Sequence, residues 1–212
     1  SNSNGTFPTG GSMSNYMALV MARDAKDPEC KLEGSTKPLV VYTSKESHYS
    51  NAKNVSFAGI GRNNIRYIQA DSKGQMIPAK LEEQIIEDLG NGFIPTYVNA
   101  TAGTTVLGAF DPIDEIADIT EKYKIWLHVD GAYCGSVIFS DEYKYLVNGI
   151  SRSDSFSYNA HKMIGTPMTC SIILVKDKKY LHDSFSNDAD YLYQTDGDDF
   201  NLGKTSFQCG RR

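Results

Sequence analysis

The chain has 212 residues, of which 40% are hydrophobic, and it carries a formal net charge of −5. That size and composition suit one domain with a substantial apolar core. Lysine and arginine are scattered instead of forming a basic stripe, and no apolar run reaches the roughly 20 residues of a membrane span. The sequence therefore argues against a nucleic-acid or membrane partner.

The cysteine and histidine patterns indicate neither a metal site nor a disulfide framework. The four cysteines, Cys30, Cys134, Cys170 and Cys209, are far apart and include no C-x-x-C pair. The four histidines lack metal-ligand spacing such as H-E-x-x-H. Free thiols, together with the lack of a charged-then-apolar leader, predict a cytoplasmic protein without a bound metal.

Strand-like apolar runs alternate with helical patterns along the chain. Residues 13–25 have apolar side chains at helical spacing and predict a buried amphipathic helix. The elements predicted next are strands at 39–43, 65–68 and 95–99, with helices at 50–58 and 78–89, the second beginning at Pro78. Asp111 and Pro112 predict the N-cap and first position of a helix that runs to about residue 123. Later strands are predicted at 125–130, 153–157 and 171–175.

This alternation predicts an α/β fold with a mainly parallel sheet covered by helices on both faces. Ligands of such sheets bind beyond the carboxyl ends of the strands. Residues 99–101 and 130–132 lie at such ends. The small, polar turn at 99–105 fits a ligand site, although in isolation such a turn is more often a tight strand-to-helix connection.

Two charged residues suggest a specific chemistry. Lys162 follows a histidine in the run from Ser157 to Met163, and Asp130 closes the apolar strand at 125–130. A lysine that forms a Schiff base and an aspartate that holds a pyridinium nitrogen are the protein groups that pyridoxal phosphate (PLP) needs most. Taken alone, such a lysine is usually a solvated surface charge, and such an aspartate is more often a helix cap or loop residue.

Other segments fit the same ligand. Gly10, Gly11 and Ser12 precede a helix, and free amides at a helix start bind anions, although a flexible loop with a serine N-cap is the simpler alternative. A P-loop reading is weak, because Gly11 stands where that motif needs lysine. Asp130 and Ala132 alternate to the same side of the strand, so a flat ring could lie beside them. His48, after the strand at 39–43, could stack on that ring or be an ordinary loop residue.

Together these segments resemble the group II PLP-dependent amino acid decarboxylases, and most closely the glutamate and cysteine sulfinate decarboxylase branch. The resemblance covers essentially the whole chain, and its matching stretches are 7–15, 42–50, 97–112, 126–132, 159–163 and 208–211. It implies the large domain of the type I, aspartate aminotransferase-like PLP enzymes. It also implies decarboxylation of an acidic L-amino acid (glutamate, cysteine sulfinate or aspartate), with transamination, aldol cleavage or an inactive cofactor-binding fragment as the alternatives.

The resemblance also assigns roles to residues. Lys162 would carry PLP as a Schiff base, Asp130 would pair with the ring nitrogen, His48 would stack on the ring and Ala132 would pack on its other face. The phosphate would be held by Gly11, Ser12, Asn159 and His161, and Thr101 would lie near the ring. Departures from the family are Gly131 where alanine is usual, Tyr133 where tryptophan is common and Ala160 where proline is frequent.

Both ends of the sequence look cut, so we expect residues 1–212 to be the PLP-binding large domain of a longer chain. The family's N-terminal segment, its mobile loop with the proton-donating residue and its small C-terminal domain have no match here. Family active sites also use a partner subunit, which implies a homodimer.

Overall fold

A computed structural model describes residues 2–186 and 204–207 of the chain. Its strands are β1 (Asn4–Thr6), β2 (Leu39–Ser44), β3 (Ile65–Ile68), β4 (Ile94–Thr101), β5 (Trp126–Gly131), β6 (Ser155–Asn159) and β7 (Ser171–Val175). Its α-helices are α1 (Gly11–Lys26), α2 (Cys30–Glu33), α3 (Ser50–Phe57), α4 (Pro78–Gly90), α5 (Ile113–Tyr123) and α6 (Lys179–Phe185). Short 3₁₀ helices lie at Arg62–Asn64, Gly135–Phe139, Lys144–Val147 and Ile150–Arg152.

The strands form one seven-stranded sheet in the order β1-β7-β6-β5-β4-β2-β3. Strands β3, β2, β4, β5 and β6 run parallel, while β7 is antiparallel to both β6 and β1. The predicted mainly parallel α/β sheet is therefore confirmed. Because the parallel strands end at one edge, the loops after β2, β4, β5 and β6 meet there.

Helices cover both faces of the sheet, because alternate side chains of each central strand are apolar on both sides. One face packs on α4 and α5 through a cluster that includes Leu81, Ile85, Ile116, Val98 and Leu127. The other packs on α1, α3 and α6 through a cluster that includes Met17, Met21, Val55, Tyr97, Trp126 and Leu181. His128 and Asp130 follow Trp126 at intervals of two, so they lie on the α1 side of β5.

Most predicted elements are confirmed, with boundaries that differ by a few residues. The Asp111 prediction is wrong in one respect. The N-cap of α5 is Pro112, and no side chain caps this helix. The Asp111 carboxylate instead accepts the backbone N–H of Met76 at 2.6 Å and that of Thr101 at 2.7 Å. It joins the loop before α4 to the end of β4, and so it fixes the backbone of a predicted site residue.

Candidate cofactor-binding site

A cavity of about 200 Å³ lies at the carboxyl edge of the parallel strands. All nine residues predicted from the sequence line it: Lys162, Asp130, His48, Gly11, Ser12, Thr101, Ala132, Asn159 and His161. Two larger cavities, of about 430 and 400 Å³, contain none of these residues except Ser12. Size therefore does not identify the site, whereas the convergence of polar groups from distant segments does.

Asp130 lies at the end of β5 and is only 4% exposed. Its Oδ2 accepts a hydrogen bond from Asn15 Nδ2 at 2.6 Å, and its Oδ1 accepts one from the backbone N–H of Ala132 at 3.0 Å. Each carboxylate oxygen can accept about two hydrogen bonds. The carboxylate is thus held in place and still has acceptor capacity for a cationic N–H in the cavity.

His48 approaches the cavity from the loop after β2. Its Nδ1 lies 2.8 Å from Ser50 Oγ, which fixes the ring. Burial lowers the pKa of His48, the Asp130 charge opposes that effect, and the Lys162 and Lys53 charges reinforce it. The imidazole is therefore neutral near pH 7, which suits a flat group that stacks on an aromatic ring.

The N-terminus of α1 supplies backbone donors. The helix begins at Gly11, its N-cap is Gly10, and no side chain caps it. The alternative of a serine N-cap is therefore wrong, because Ser12 lies inside the first turn. N–H groups of a first helical turn lack intrahelical partners and, with the helix dipole, favour an anion. A Cβ at Gly11 would come within 2.9 Å of Asn159 Nδ2 and 3.0 Å of Ala132 Cβ, so only glycine fits there without a shift.

Two buried polar atoms test whether these residues fit a polar cofactor. Within the described residues, neither Thr101 Oγ1 nor Asn159 Oδ1 has a hydrogen-bond partner, although each residue is 4% exposed. Buried polar groups without partners cost free energy and are uncommon in folded proteins. A ligand with its own donors and acceptors would satisfy both atoms. The cavity thus matches PLP in its anion-binding end, its carboxylate, its neutral stacking ring and its amine.

Lys162 lies three residues beyond the end of β6, and its backbone N–H donates to Asn159 O at 3.1 Å. Its side chain is exposed and lines the cavity. Its charge lowers the pKa values of both the His48 imidazole and the Cys134 thiol. Next to it, His161 Nδ1 lies 3.1 Å from both the backbone N and the carbonyl O of Cys170, which fixes the position of the ring.

Four further residues line the cavity, Asn15, Gly103, Thr105 and Tyr133, and none of them was individually predicted as a site residue, although Gly103 and Thr105 belong to the polar turn at 99–105. Asn15 lies four residues after Gly11 on α1 and therefore on the same helix face, which was the available signal. Gly103 has φ +89°, and a Cβ there would overlap the side chain of Cys134. Its left-handed backbone explains the glycine in the polar turn after β4.

Two of the three departures from the family, Gly131 and Ala160, have local causes in this chain. A Cβ at Gly131 would meet Phe156 Cε2 at 2.5 Å and Ser157 O at 2.9 Å, on the side away from the cavity. The Ala160 N–H donates to Cys170 O at 2.8 Å, a hydrogen bond that proline could not make. The remaining stretch of the resemblance, residues 208–211, lies outside the described residues.

No helix within residues 2–186 and 204–207 is long and apolar enough to cross a membrane. In the same part of the chain, no group of three or more His, Cys, Asp or Glu side chains could hold a metal ion. The described cysteines Cys30, Cys134 and Cys170 are free thiols.

Comparison with known proteins gives concordant results. The family model "Pyridoxal-dependent decarboxylase conserved domain" matches residues 1–212. Cysteine sulfinic acid decarboxylase of Mus musculus is 43% identical over 98% of this chain, which spans 43% of the mouse protein. The Homo sapiens enzyme of the same name is 42% identical over 100% of this chain and 44% of its own length.

Solved structures agree in fold. The crystal structure of mouse CSAD has a TM-score of 0.92 at 42% identity, covering 99% of this chain and 44% of that one. The structure of Oryza sativa TDC with PLP and tryptamine has a TM-score of 0.93 at 32% identity, covering 100% of this chain and 44% of that one. These neighbours confirm the type I PLP-enzyme fold. The chain belongs to the pyridoxal-dependent decarboxylase family, whose cofactor is PLP.

Proposed function

We propose that this chain is the cofactor-binding part of an enzyme that decarboxylates an acidic L-amino acid, with cysteine sulfinate, glutamate or aspartate as the substrate. The observation that carries the proposal is the convergence of an amine, a buried carboxylate, a neutral imidazole and a helix N-terminus on one cavity. An acidic substrate is favoured because relatives named cysteine sulfinic acid decarboxylase are 42–43% identical, whereas the Oryza sativa TDC structure with tryptamine is 32% identical.

PLP, when bound, supplies a ring that accepts electrons from the substrate. The residues of the chain would bind and orient it. The Lys162 amine would link to it covalently, and Asp130 would accept the N–H of its ring nitrogen. Its phosphate would be held by Gly11, Ser12, Asn159 and His161.

Three further residues would define the faces of the ring. His48 would cover one face as a neutral imidazole, and Ala132, with its small side chain, would allow close approach on the other. Thr101 would offer its unpartnered hydroxyl at the ring edge. Lys162 would exchange protons with the substrate amine when that amine replaces it.

We further propose that residues 1–212 form the large domain of a longer, homodimeric, cytoplasmic enzyme. The relatives are more than twice as long as this chain, since it spans 43–44% of them. Within the described residues, large apolar side chains such as Phe139, Tyr145, Val106 and Met168 are strongly exposed. Burial by other segments or by a second subunit would remove these apolar side chains from water.

The substrate class is tested in a longer protein that contains this sequence, by measuring CO2 release from α-carboxyl-labelled cysteine sulfinate, glutamate and aspartate, with tryptophan as a matched non-acidic control. The proposal expects CO2 from at least one acidic substrate and none from tryptophan. A keto acid without CO2 would identify transamination, and CO2 from tryptophan alone would overturn the acidic preference.

The same assay compares residues 1–212 alone with a longer protein that contains this sequence. We expect residues 1–212 alone to bind PLP but to release little CO2, because they span only 43–44% of the relatives' length and the resemblance implies that the proton-donating loop belongs to the other part. General acid catalysis of that kind typically contributes about 10²–10⁴-fold. Release at a rate equal to that of a longer protein containing this sequence would show that the proton donor lies within these residues.

A further inference from the structure

A buried chain of hydrogen bonds ends on Asp130. Asn15 donates to Asp130 Oδ2 at 2.6 Å, and Asn15 Oδ1 in turn lies 3.0 Å from both His128 Nε2 and Ser157 Oγ. His128 and Ser157 are fully buried, and Asn15 is 2% exposed. The three residues come from α1, β5 and β6, so tertiary packing alone brings them together.

The chain continues behind His128. His128 Nδ1 lies 2.8 Å from Ser155 Oγ, and the indole Nε1 of Trp126 donates to the same oxygen at 2.9 Å. Tyr97 stacks on the imidazole with ring centroids 5.9 Å apart. His128 is thus fixed on both ring nitrogens and on one face.

The Asp130 end and the neutral imidazole determine the direction of these hydrogen bonds. The Asn15 amide donates to the carboxylate, so Asn15 Oδ1 accepts from His128 Nε2 and from Ser157 Oγ. In a neutral imidazole Nδ1 is then the acceptor, so Ser155 Oγ donates to it while accepting the Trp126 indole N–H on a lone pair. The ring proton of His128 then lies on Nε2 and is donated to Asn15 Oδ1. A carboxylate can only accept, so the Asn15 amide nitrogen must face Asp130; the flipped amide would oppose two oxygens at 2.6 Å.

His128 itself is neutral in this arrangement. Burial lowers its pKa to about 4, an effect that the Asp130 charge and the backbone of Ser155 oppose. A neutral imidazole with one donor and one acceptor matches the partners present. Each donor therefore points toward Asp130, and such aligned hydrogen bonds strengthen one another in a buried site.

We propose that Asn15 is a positioning residue: oriented by His128 and Ser157, its amide holds the Asp130 carboxylate where it meets the ring nitrogen of PLP. The inference rests on the proposed function and adds to it a residue that does not itself touch the reacting atoms. It accounts for a buried polar amide on an otherwise apolar face of α1. The Asn15–Asp130 hydrogen bond is charge-assisted and short. Without it, the Asp130 carboxylate would be held only by the Ala132 N–H and could rotate about its Cβ–Cγ bond.

The test compares two ligands. PLP and its carbocyclic analogue, in which C–H replaces the ring nitrogen, differ only at the atom that meets Asp130. We expect wild-type protein to bind PLP more tightly than the analogue, as measured by equilibrium dialysis. In Asn15→Ala that preference should fall about 10- to 100-fold, the value of one charge-assisted hydrogen bond, while analogue affinity changes little.

Controls keep the test decisive. Asn99→Ala removes another buried amide, whose Nδ2 donates to Thr43 Oγ1 and not to the cavity, and it should leave the ligand preference intact. If Asn15→Ala does not fold by circular dichroism, Ser157→Ala serves instead, with an expected loss of preference of roughly threefold because one neutral hydrogen bond is removed.

The outcomes separate the two proposals. If the wild type prefers PLP and Asn15→Ala (or Ser157→Ala in its place) keeps that preference in full, the positioning role is overturned. The proposed function is then unaffected. A wild-type protein that binds neither ligand overturns the proposed function, and the positioning role with it. Loss of preference in the Asn15 or Ser157 variant, with preference kept in Asn99→Ala, supports the positioning role.

Discussion

Two buried aspartates at the same edge of the sheet have opposite surroundings. Asp111 is 1% exposed, and its two oxygens accept hydrogen bonds from the backbone N–H groups of Met76 and Thr101. Asp130, 4% exposed, receives one side-chain amide and one N–H from its own turn, and it opens onto the cavity. Asp111 joins two loops and does not line the cavity. Asp130 is held by Asn15 and the Ala132 N–H and also lines the cavity. Burial of a carboxylate therefore does not identify a functional site; unused acceptor capacity that faces a cavity does.

The same Asp→Asn substitution at the two positions should give the largest difference between the two regions. In the longer, active protein, Asp130→Asn should lower turnover about 10²–10⁴-fold, because losing one partner of a buried ion pair costs about 3–5 kcal/mol. The amount of bound PLP should change far less. Turnover and cofactor content are measured together, and a near-normal rate in Asp130→Asn would contradict the assignment.

Asp111→Asn is the matched control. It leaves one of the two backbone N–H groups without an acceptor, so the free energy of unfolding in urea should fall by about 1–3 kcal/mol. PLP affinity, in contrast, should change less than tenfold, because Asp111 does not line the cavity. A variant with unchanged stability and lost PLP binding would reverse the roles of the two regions.

The pH dependence of stability should distinguish the regions next. The folded pKa of His128 is about 4, below its usual 6.5, so its contribution is full above pH 6.5 and is lost as the pH falls toward 4. Burial raises the folded pKa of Asp111 from 3.8 to about 6, against the effect of its two N–H donors. Its contribution is full below pH 3.8 and is lost as the pH rises through 6.

These two slopes nearly cancel in the wild type, and each is worth about 3 kcal/mol at 1.36 kcal/mol per pKa unit. Urea unfolding between pH 4 and 6.5 should therefore show Asp111→Asn losing more stability than the wild type as the pH falls. Over the same fall in pH, the stability of His128→Gln should instead rise relative to that of the wild type. Parallel curves for all three proteins would show that neither group titrates as described.

A smaller effect concerns the side of β5 that faces away from the cavity. Gly131→Ala should lower the free energy of unfolding by about 1–3 kcal/mol, because the added methyl group overlaps Phe156 and the backbone of Ser157. Affinity for PLP per folded molecule should stay near that of the wild type. The variant is compared by urea unfolding and by dialysis, and a loss confined to PLP binding would contradict the assignment of Gly131 to packing alone.

Much of this arrangement could be predicted from the sequence, because periodicity and strand ends are local signals. The alternation of strands and helices and the edge carrying Asp130 follow from patterns a few residues long. Asp111 was misassigned because an aspartate before a proline looks the same whether it caps a helix or binds Met76, 35 residues away. Asn15 was missed because its partner Asp130 lies 115 residues away. No short pattern records which side chains meet across a sheet.

The central claim is that one cavity holds PLP through Lys162. Borohydride reduction of the PLP-loaded protein, followed by peptide mass spectrometry, tests it most directly. Lys53→Ala is the matched control, because Lys53 also acts on His48 but does not line the cavity. We predict the reduced cofactor on Lys162 in the wild type and in Lys53→Ala, and none in Lys162→Ala. A label that persists in Lys162→Ala, or that lies on another lysine in the wild type, would contradict the account.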